Sequence, residues 1–293
     1  MRASIRDTEI FFDVDGAGLV PDGSCMRERP TAFLLHGGPG GDHANYKARY
    51  AALKERMQLV YIDHRGQGRS ARGSPRTYTL DENVEDMEAL RRYLGLGAVV
   101  SIGGSYGGMV AMAHAARYPQ SVSHLIVFAT AAHAGYIARA KEIVTERGTA
   151  EQIAQYEDLF AGRIDTTDKM RHFFNVMGTL YARKYDALLA EPALARTILT
   201  PEAQNEAYRP GGFLRSFDLR PELGAIVAPT LIIGGRYDWI CPPEFSEEIH
   251  RLIPGSDLRI FEESAHFIGG DEPQKFLDAV AGFLAYATRT VSE

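Results

Sequence analysis

The sequence predicts an α/β protein with a mostly parallel sheet flanked by helices. Short apolar runs, each as long as a buried strand, recur along the first part of the chain and alternate with segments of helical periodicity. Alternation of this kind is typical of right-handed βαβ crossovers, which build parallel sheets. Between 131 and 225 the apolar runs stop and helical patterns replace them. This interruption predicts a helical cap inserted into the sheet domain.

Eight strands are expected in the sheet. Stretches 4–6 and 9–14 are typical of an antiparallel edge hairpin, and further apolar runs follow at 31–35, 59–63, 98–103, 124–129, 230–234 and 258–261. Helical segments are expected near 43–55, 80–94 and 106–117. Thr79 is the expected N-cap of the second of these. The last helix is predicted to begin at Pro273 and to bury Phe276, Leu277, Val280, Phe283 and Leu284.

Residues 131–225 are predicted to form the cap, inserted after the sixth strand, and residues 1–130 and 226–293 the sheet domain. The cap shows helical patterns around 136–147, 149–161, 167–181 and 201–208, which are interrupted by Gly148, Gly162, Pro192 and residues 210–212. Phe173, Phe174, Met177 and Tyr181 recur at helical spacing. We expect most of these side chains to pack in the core and a minority to face a cavity.

Bulk properties exclude several classes of protein. The chain has 293 residues, of which 45% are hydrophobic and 24% charged, as in ordinary globular proteins, and its net charge of −6 argues against nucleic-acid binding. Neither a membrane span nor a signal peptide is apparent, so we expect a cytoplasmic protein that does not bind membranes. Cys25 and Cys241 are expected to be free thiols, and their spacing does not suggest a metal site.

Residues 103–107 read Gly-Gly-Ser-Tyr-Gly and lie between an apolar strand and a helix. In this position a G-x-S-x-G pattern is typical of a nucleophilic serine held on a sharp turn. Side chains at 103 and 107 would collide with the neighbouring strand and helix, which explains the two glycines. The helix that follows directs its free N–H groups towards the serine oxygen. Ser105 is therefore the candidate nucleophile, and the alternative is a glycine-rich turn with a bystander serine.

Residues 36–40 read His-Gly-Gly-Pro-Gly and follow another short apolar strand. In hydrolases with the serine motif, the loop after this strand supplies one N–H to the oxyanion hole, and the residue after the nucleophile supplies the other. We expect these donors to be Gly38 and Tyr106, with Gly37 as the alternative to Gly38. A phosphate-binding loop is excluded, because the segment lacks the Gly-Lys-Ser/Thr ending. His36 is interpreted as a structural side chain beneath the loop, not as a catalytic base.

Two later strand ends carry an acid and a base, Asp238 and His266. Because the carboxyl ends of parallel strands meet at one edge of a sheet, we expect both to lie near Ser105. The order serine, aspartate, histidine is that of this hydrolase fold and differs from the chymotrypsin and subtilisin orders. The spacing between acid and base leaves room for one helix and one strand, which predicts that they follow neighbouring strands.

The loop after residues 59–63 offers a second acid and base, Asp63 and His64, which could form a catalytic pair. Glycines at 66 and 68 are more typical of a tight turn, and the triad is complete without this loop. We interpret it as a brace for the site, with Asp63 hydrogen-bonded to Arg65 or to backbone amides.

These motifs together resemble the prolyl aminopeptidase (proline iminopeptidase) family of α/β-hydrolases. The resemblance extends over the sheet domain, with a cap of similar position and size, and rests on residues 36–40, 63–70, 103–108 and 235–238 and on His266. It implies the α/β-hydrolase fold, the cap and the serine triad of that family. No metal or organic cofactor is expected, because water resolves the acyl-enzyme of a serine hydrolase.

The resemblance also implies a substrate, an N-terminal proline or small residue of a short peptide. Family members hold the free ammonium of the peptide with carboxylates near the triad, and some carry a glutamate directly after the triad aspartate, where this chain has Trp239. A cap carboxylate could come from Glu206 or Glu202 instead. Trp239 would offer an apolar wall, and Gly37 is a further candidate for substrate contact.

Three functions remain open at this point. The first is an exopeptidase that releases N-terminal proline or small residues. The second is a carboxylesterase, lactonase or amidase for an uncharged small molecule. The third is a non-catalytic binding protein on a hydrolase scaffold, which the complete triad and oxyanion loop argue against. The oligomeric state is left open.

Overall fold

The computed structural model describes residues 1–290, with side chains for residues 1–285. Ten strands form along the chain: β1 (Arg2–Ile5), β2 (Thr8–Asp15), β3 (Leu19–Asp22), β4 (Cys25–Glu28), β5 (Thr31–Leu35), β6 (Gln58–Ile62), β7 (Val99–Gly104), β8 (Val122–Phe128), β9 (Thr230–Gly235) and β10 (Asp257–Phe261). Eight of them form one sheet in the order β1-β2-β6-β5-β7-β8-β9-β10. Strands β1, β2 and β6 pair antiparallel and all other neighbours pair parallel. The predicted eight-stranded, mostly parallel sheet is confirmed.

The central strands are apolar along their whole length because helices cover both faces of the sheet. All six residues of β7 and all six of β9 are buried. Continuous apolar runs are what parallel strands require when neither face meets water. The carboxyl ends of β5, β7, β9 and β10 consequently lie along one edge of the sheet.

The helices are α1 (Ala44–Tyr50), α2 (Leu80–Tyr93), α3 (Tyr106–Arg117), α4 (Tyr136–Arg147), α5 (Ala150–Phe160), α6 (Thr167–Tyr181), α7 (Ala187–Arg196), α8 (Pro201–Tyr208), α9 (Arg220–Leu223), α10 (Pro243–Leu252), α11 (Ile268–Asp271) and α12 (Pro273–Thr290). Thr79 caps α2 as predicted, since its hydroxyl accepts a hydrogen bond from the Glu82 amide at 3.2 Å. Within residues 1–290 no helix combines the length and the apolar character that crossing a membrane requires.

Two apolar clusters separate the layers. Helix α12 packs on one face of the sheet together with α1, and Phe276, Val280 and Phe283 are buried there as predicted, while Leu277 and Leu284 are partly buried against them. The larger cluster on the other face joins α2, α3 and α10 to the cap. The cap therefore shares its apolar core with the sheet domain.

Between β8 and β9 the described chain is helical, with α4 to α9 in succession and a single isolated bridge from His133 to Asp218. Strand β8 is the sixth strand of the main sheet in chain order. The four predicted cap helices are present as α4, α5, α6 and α8. The division of the chain at 131 and 225 stays a prediction.

The structure differs from the sequence prediction in three places. Strands β3 and β4 form a separate exposed hairpin that lacks an apolar pattern. Arg6, placed in the first strand, instead occupies the turn after β1 with φ 50°. Helix α7 continues through Pro192, expected to interrupt a helix. The carbonyl that loses its helical donor belongs to Leu188, which is 84% exposed and open to water.

Candidate active site

Ser105 lies on a strained turn between β7 and α3. Its φ of 53° and ψ of −125° place a non-glycine residue in a sparsely populated region of backbone space. The surrounding backbone holds it there, because the Ser105 amide donates to the Phe128 carbonyl at 3.0 Å. Its own carbonyl accepts hydrogen bonds from the Gly108 amide at 2.9 Å and the Thr130 hydroxyl at 2.7 Å. The turn presents the serine side chain to a cavity at the carboxyl edge of the sheet.

The glycines around Ser105 are required by close backbone contacts. A Cβ atom at Gly103 would lie 2.2 Å from the carbonyl oxygen of Gly107, and one at Gly107 would lie 2.0 Å from that of Leu35. A Cβ at Gly104 would enter the ring of Phe128, at 2.2 Å. The predicted collisions at 103 and 107 with the neighbouring helix and strand are confirmed.

Asp238 and His266 form a buried hydrogen-bonded pair. Asp238 follows β9 and His266 follows β10, which are adjacent parallel strands as predicted. Nδ1 of His266 lies 2.8 Å from Oδ2 of Asp238, and the other carboxylate oxygen accepts the amides of Ile240 and Cys241, each at 2.9 Å. With its carboxylate fixed from both sides, Asp238 holds a proton on Nδ1 and leaves Nε2 as the free nitrogen of the imidazole.

Ser105 and His266 line the same cavity, so the structure brings all three triad candidates to one edge of the sheet. Within residues 1–290 the Ser105 hydroxyl makes no hydrogen bond to His266. Such contacts are often long in the absence of substrate and shorten in the reacting complex.

The cap contacts His266 directly. Tyr181, the last residue of α6, lies edge-on to the imidazole with ring centroids 5.3 Å apart. Asp271 is buried and accepts hydrogen bonds from the Ala265 amide at 2.9 Å and from the Arg183 and Lys184 amides at 3.1 and 3.0 Å. This carboxylate ties the loop that carries His266 to the segment after α6.

Sequence reasoning missed Asp271 as a site residue and treated Tyr181 mainly as core. A carboxylate five residues after a candidate catalytic histidine is a weak signal by itself, because its partners are backbone amides, which leave no mark in the sequence. Phe174 and Tyr181 line the cavity, whereas Phe173 and Met177 are in the core.

The oxyanion candidates lie around the same serine. The Tyr106 amide is the first of α3 and donates to no acceptor within residues 1–290, as expected of a helix N-terminus. Gly38 lies in the cavity wall with φ 124°, a conformation that favours glycine. A Cβ built on Gly37 would be 3.2 Å from Cβ of Ser105, so the loop backbone packs directly against the nucleophile turn.

His36 and His64 are buried beneath the oxyanion loop. Nε2 of His36 accepts the His64 amide at 3.2 Å, so its Nδ1 donates to the Gly37 carbonyl at 2.8 Å. His64 Nε2 in turn lies 3.1 Å from the His36 carbonyl. Burial lowers the pKa of His36 and lowers that of His64 well below its ordinary value. Both rings are therefore neutral supports of the loop, as interpreted for His36.

Asp63 braces the loop that follows β6. Its carboxylate accepts hydrogen bonds from the Arg69 amide at 2.7 Å and from the amide and the ring of His43 at 2.9 and 2.7 Å. The predicted bonding to backbone amides is confirmed. The alternative prediction, a hydrogen bond between Asp63 and Arg65, is wrong, because the Arg65 guanidinium pairs with Asp86 at 2.7 Å. Burial raises the pKa of Asp63, but the hydrogen bonds from His43 and the Arg69 amide and the interactions with the neighbouring histidines together outweigh it, and the net shift is downward.

The cavity in front of Ser105 has a volume of about 480 Å³. Its wall is largely aromatic and aliphatic, with side chains from the sheet edge, α1 and the cap: Tyr46, Phe128, Leu159, Phe174, Tyr181 and Ile240. Cavities of this size accommodate small organic molecules. No group of three or more potential metal ligands occurs among the described residues.

Three of the predicted substrate contacts lie outside this wall. Glu206 pairs at 2.7 Å with Arg209, the residue that follows α8, and does not line the cavity, and Glu202 is exposed. Trp239 is 1% exposed and packs behind Tyr181, with ring centroids 5.5 Å apart, so Tyr181 forms the surface that Trp239 was expected to form. Gly37 does line the cavity.

Both cysteines are free thiols, as predicted. Cys25 is exposed on the separate hairpin, and Cys241 is buried behind the site. Burial raises the pKa of the Cys241 thiol well above its ordinary value, so this thiol is protonated and unreactive.

Known proteins share this architecture. The model of the alpha/beta hydrolase fold matches residues 30–273. Proline iminopeptidase PfmaB of Pestalotiopsis fici is 31% identical over 264 residues, which cover 88% of this chain and 92% of that protein. Among solved structures, proline iminopeptidase of Mycobacterium smegmatis superimposes with a TM-score of 0.79 at 21% identity, covering 99% of both chains. The enol-lactonase of Burkholderia xenovorans LB400 superimposes with a TM-score of 0.72 at 22% identity, covering 97% of this chain and 100% of that one. The chain belongs to the proline iminopeptidase family of α/β-hydrolases.

Proposed function

We propose that the protein is a serine hydrolase that cleaves a small amide or ester through an acyl-enzyme. The observation that carries this proposal is the hydrogen bond of 2.8 Å between His266 and Asp238, at the same sheet edge as the strained Ser105. A nucleophile, a base and a group that orients the base are the parts that acyl transfer requires.

In the proposed mechanism, the Ser105 hydroxyl attacks the substrate carbonyl and transfers its proton to Nε2 of His266. Asp238 keeps the imidazole in the required tautomer and stabilises its cation. The amides of Gly38 and Tyr106 bind the oxyanion. His266 then protonates the leaving amine or alcohol as its bond to the acyl carbon breaks. In the second half of the reaction His266 takes a proton from water, which attacks the acyl-enzyme, and returns that proton to the Ser105 oxygen as the acid is released.

The cavity favours an acyl group without a free ammonium. Three carboxylates line it among the described residues, namely Asp42, Asp186 and Asp271. Asp42 pairs with Arg69 at 2.8 Å, and Asp271 is saturated by three backbone amides. A buried ammonium without an available carboxylate is costly. We therefore favour an ester, lactone or amide whose acyl part is uncharged near the carbonyl.

Asp186 does not change this conclusion. It caps α7 by accepting the Leu188 amide at 2.8 Å and is exposed, so water screens its charge.

Release of an N-terminal proline is the second candidate. It is supported by relatives that carry the name proline iminopeptidase, at 31% identity for the protein of Pestalotiopsis fici and 27% for that of Clostridium botulinum. The apolar wall could accommodate a proline ring. This candidate requires an ammonium site that the three carboxylates above do not readily supply.

Two measurements test the proposal. A fluorophosphonate probe should label the native protein at Ser105 and leave Ser105→Ala unlabelled, and absence of labelling would contradict a serine hydrolase. The values of kcat/KM for L-proline p-nitroanilide, its N-acetyl derivative and p-nitrophenyl butyrate then distinguish the two candidate functions. Fast ester cleavage with slow prolyl turnover supports the favoured reading. A strong prolyl preference that acetylation abolishes supports the peptidase instead.

A further inference from the structure

Among the described residues, two arginines without a carboxylate partner line the cavity. Arg49 is at the end of α1 and Arg196 at the end of α7, and both line the cavity. Within the described part of the chain, neither guanidinium lies within 4.0 Å of a carboxylate. Both guanidinium groups therefore keep their charge available to a ligand of the cavity.

The two helix ends are joined to each other. The Asn45 side-chain amide of α1 donates to the hydroxyl of Thr197 at 2.9 Å, immediately after α7. Arg49 is one helical turn after Asn45 on α1, and Arg196 directly precedes Thr197. The hydrogen bond therefore joins the helix ends that carry the two arginines, and both arginines line the same cavity although they come from distant parts of the sequence.

Arg49 also reaches towards the triad. Its guanidinium stacks over the ring of Phe267 at 5.0 Å, and Phe267 is the neighbour of His266. Stacking uses the flat face of the guanidinium and leaves its N–H groups free to bind an anion. Arg49 is half-buried, which limits the screening of its charge by water.

The acidic side chains nearby do not neutralise this pair. Asp42 is fully buried and already paired with Arg69, and it also accepts the Ile198 amide at 3.0 Å. Asp186 lies at the opposite end of α7, and a helix of that length separates the two ends by about 15 Å. Lys184, a third cation of the wall, donates to the carbonyl of Asp271 at 3.1 Å.

We infer that Arg49 and Arg196 form a subsite for a carboxylate of the substrate, at a distance from the carbonyl that Ser105 attacks. The inference rests on the proposed hydrolase function and adds a substrate class to it: acids that also carry an ester or amide bond. The carboxylate could belong to the acyl part or to the leaving group, as at the C-terminus of a short peptide. In both cases the guanidinium groups offer charge-assisted hydrogen bonds across the mouth of an otherwise apolar cavity.

Helix capping is the competing explanation, because both arginines are in the last turn of a helix, where a cation is favourable. That explanation predicts an effect on stability and none on substrate choice. Arg251, exposed in the last turn of α10 and outside the cavity wall, is the matched control.

Two matched substrate pairs test the subsite. In the first, the carboxylate is in the acyl part: mono-p-nitrophenyl glutarate against p-nitrophenyl butyrate. In the second pair the carboxylate is in the leaving group. The butyrate ester of 4-hydroxybenzoic acid is compared with the butyrate ester of methyl 4-hydroxybenzoate, which lacks the charge. We expect kcat/KM to favour the acid of at least one pair, with a preference that shrinks as salt is added.

In Arg49→Gln/Arg196→Gln this preference should fall by about tenfold or more, as expected for the loss of charge-assisted contacts from one half-buried and one exposed arginine. The neutral substrate of each pair measures any general effect of the double variant on turnover, so the preference is taken as the ratio within a pair. The preference in Arg251→Gln should stay as in the native protein. Equal rates within both pairs, or a preference that the double variant retains, would overturn the subsite while leaving the hydrolase proposal intact.

Failure of the hydrolase proposal would be recognised separately, because no substrate would then be cleaved and Ser105 would not be labelled. The subsite can be measured independently in that case. Calorimetric titration of Ser105→Ala measures binding without turnover. The ligands are 4-butyramidobenzoate and glutaric acid monoanilide, each compared with its methyl ester. Tighter binding of an acid that the two arginine substitutions abolish supports the subsite, and equal binding of acid and ester overturns it.

Discussion

The ring of Tyr181 meets the imidazole of His266 at an angle of 79°, with 5.3 Å between the two centroids. The carbonyl of the same tyrosine accepts the amide of Phe267 at 2.8 Å. A residue of the cap thus contacts both the candidate base and the backbone beside it. The Asp271 carboxylate adds two hydrogen bonds between the two segments, from the Arg183 and Lys184 amides, so the position of the cap and the orientation of the base are coupled.

The triad makes the first prediction. Ser105→Ala and His266→Ala should each lower kcat on the favoured ester by a factor on the order of 10⁶, because nucleophile and base act as one unit. Asp238→Asn should cost about 10⁴, since it keeps the shape of the side chain but favours the wrong imidazole tautomer. Steady-state kinetics on protein with a native circular dichroism spectrum provides the measurement. Retention of more than a tenth of the activity in Ser105→Ala would contradict the assignment.

Asp271 is predicted to be a positioning residue. Asp271→Asn replaces one acceptor oxygen by a donor that faces backbone N–H groups, so the loop carrying His266 should shift. A small displacement of a catalytic group can cost up to about a hundredfold, and we expect kcat to fall by ten- to a hundredfold with a smaller change in KM.

The profile of kcat against pH should shift along the pH axis in Asp271→Asn, because the surroundings of the base change. A purely structural defect would instead lower kcat by the same factor at every pH. Asp278→Asn, an exposed aspartate on α12, is the control and should behave as the native protein. An unchanged kcat in Asp271→Asn would show that the carboxylate does not position the base.

The glycine contacts predict a steep position dependence for alanine substitutions. In Gly107→Ala the new Cβ would lie 2.0 Å from the Leu35 carbonyl oxygen, and rigid backbone on both sides prevents relief. We expect a loss of at least about 3 kcal/mol in the free energy of unfolding, or failure to fold. Gly97→Ala, where nothing lies within 4 Å, should be neutral or slightly stabilising. Urea denaturation of the two variants is the measurement, and equal stability would contradict the packing.

The buried histidines predict a loss of stability in acid. Burial lowers the pKa of His36 and His64 in the folded state, so below about pH 6.5 the unfolded chain binds more protons than the folded one. The free energy of unfolding should be flat above that pH and fall below it, by up to about 1.4 kcal/mol per pH unit for each histidine.

Urea denaturation between pH 5 and 8 measures this slope. His172→Gln, which removes an exposed histidine of α6, should leave the slope unchanged. His64→Gln should lower stability at pH 8 and flatten the slope below pH 6.5. The same slope in both variants would show that the buried pair is not responsible.

Much of the site was predictable because the fold repeats one rule. Each functional segment directly follows an apolar run, and parallel strands bring their carboxyl ends to one edge, so sequence order alone placed Ser105, Asp238 and His266 together. The glycines at 103 and 107 were also readable, since a strand-to-helix turn leaves no room for side chains. The continuous helix α7 could not be predicted from the sequence, because a proline inside a helix is tolerated only where the carbonyl that loses its donor is open to water.

The sequence by itself determined the fold class, the strand that carries each triad candidate, and the family, because local periodicity and short motifs encode these features. Only the tertiary structure decided which charged side chains are available to a substrate. Glu206 is paired with Arg209, and Asp271 accepts hydrogen bonds from backbone amides, whereas Arg49 and Arg196 meet no carboxylate among the described residues. Availability of a charge depends on partners that are distant in the chain or belong to the backbone, and neither kind is visible in a pattern of residues.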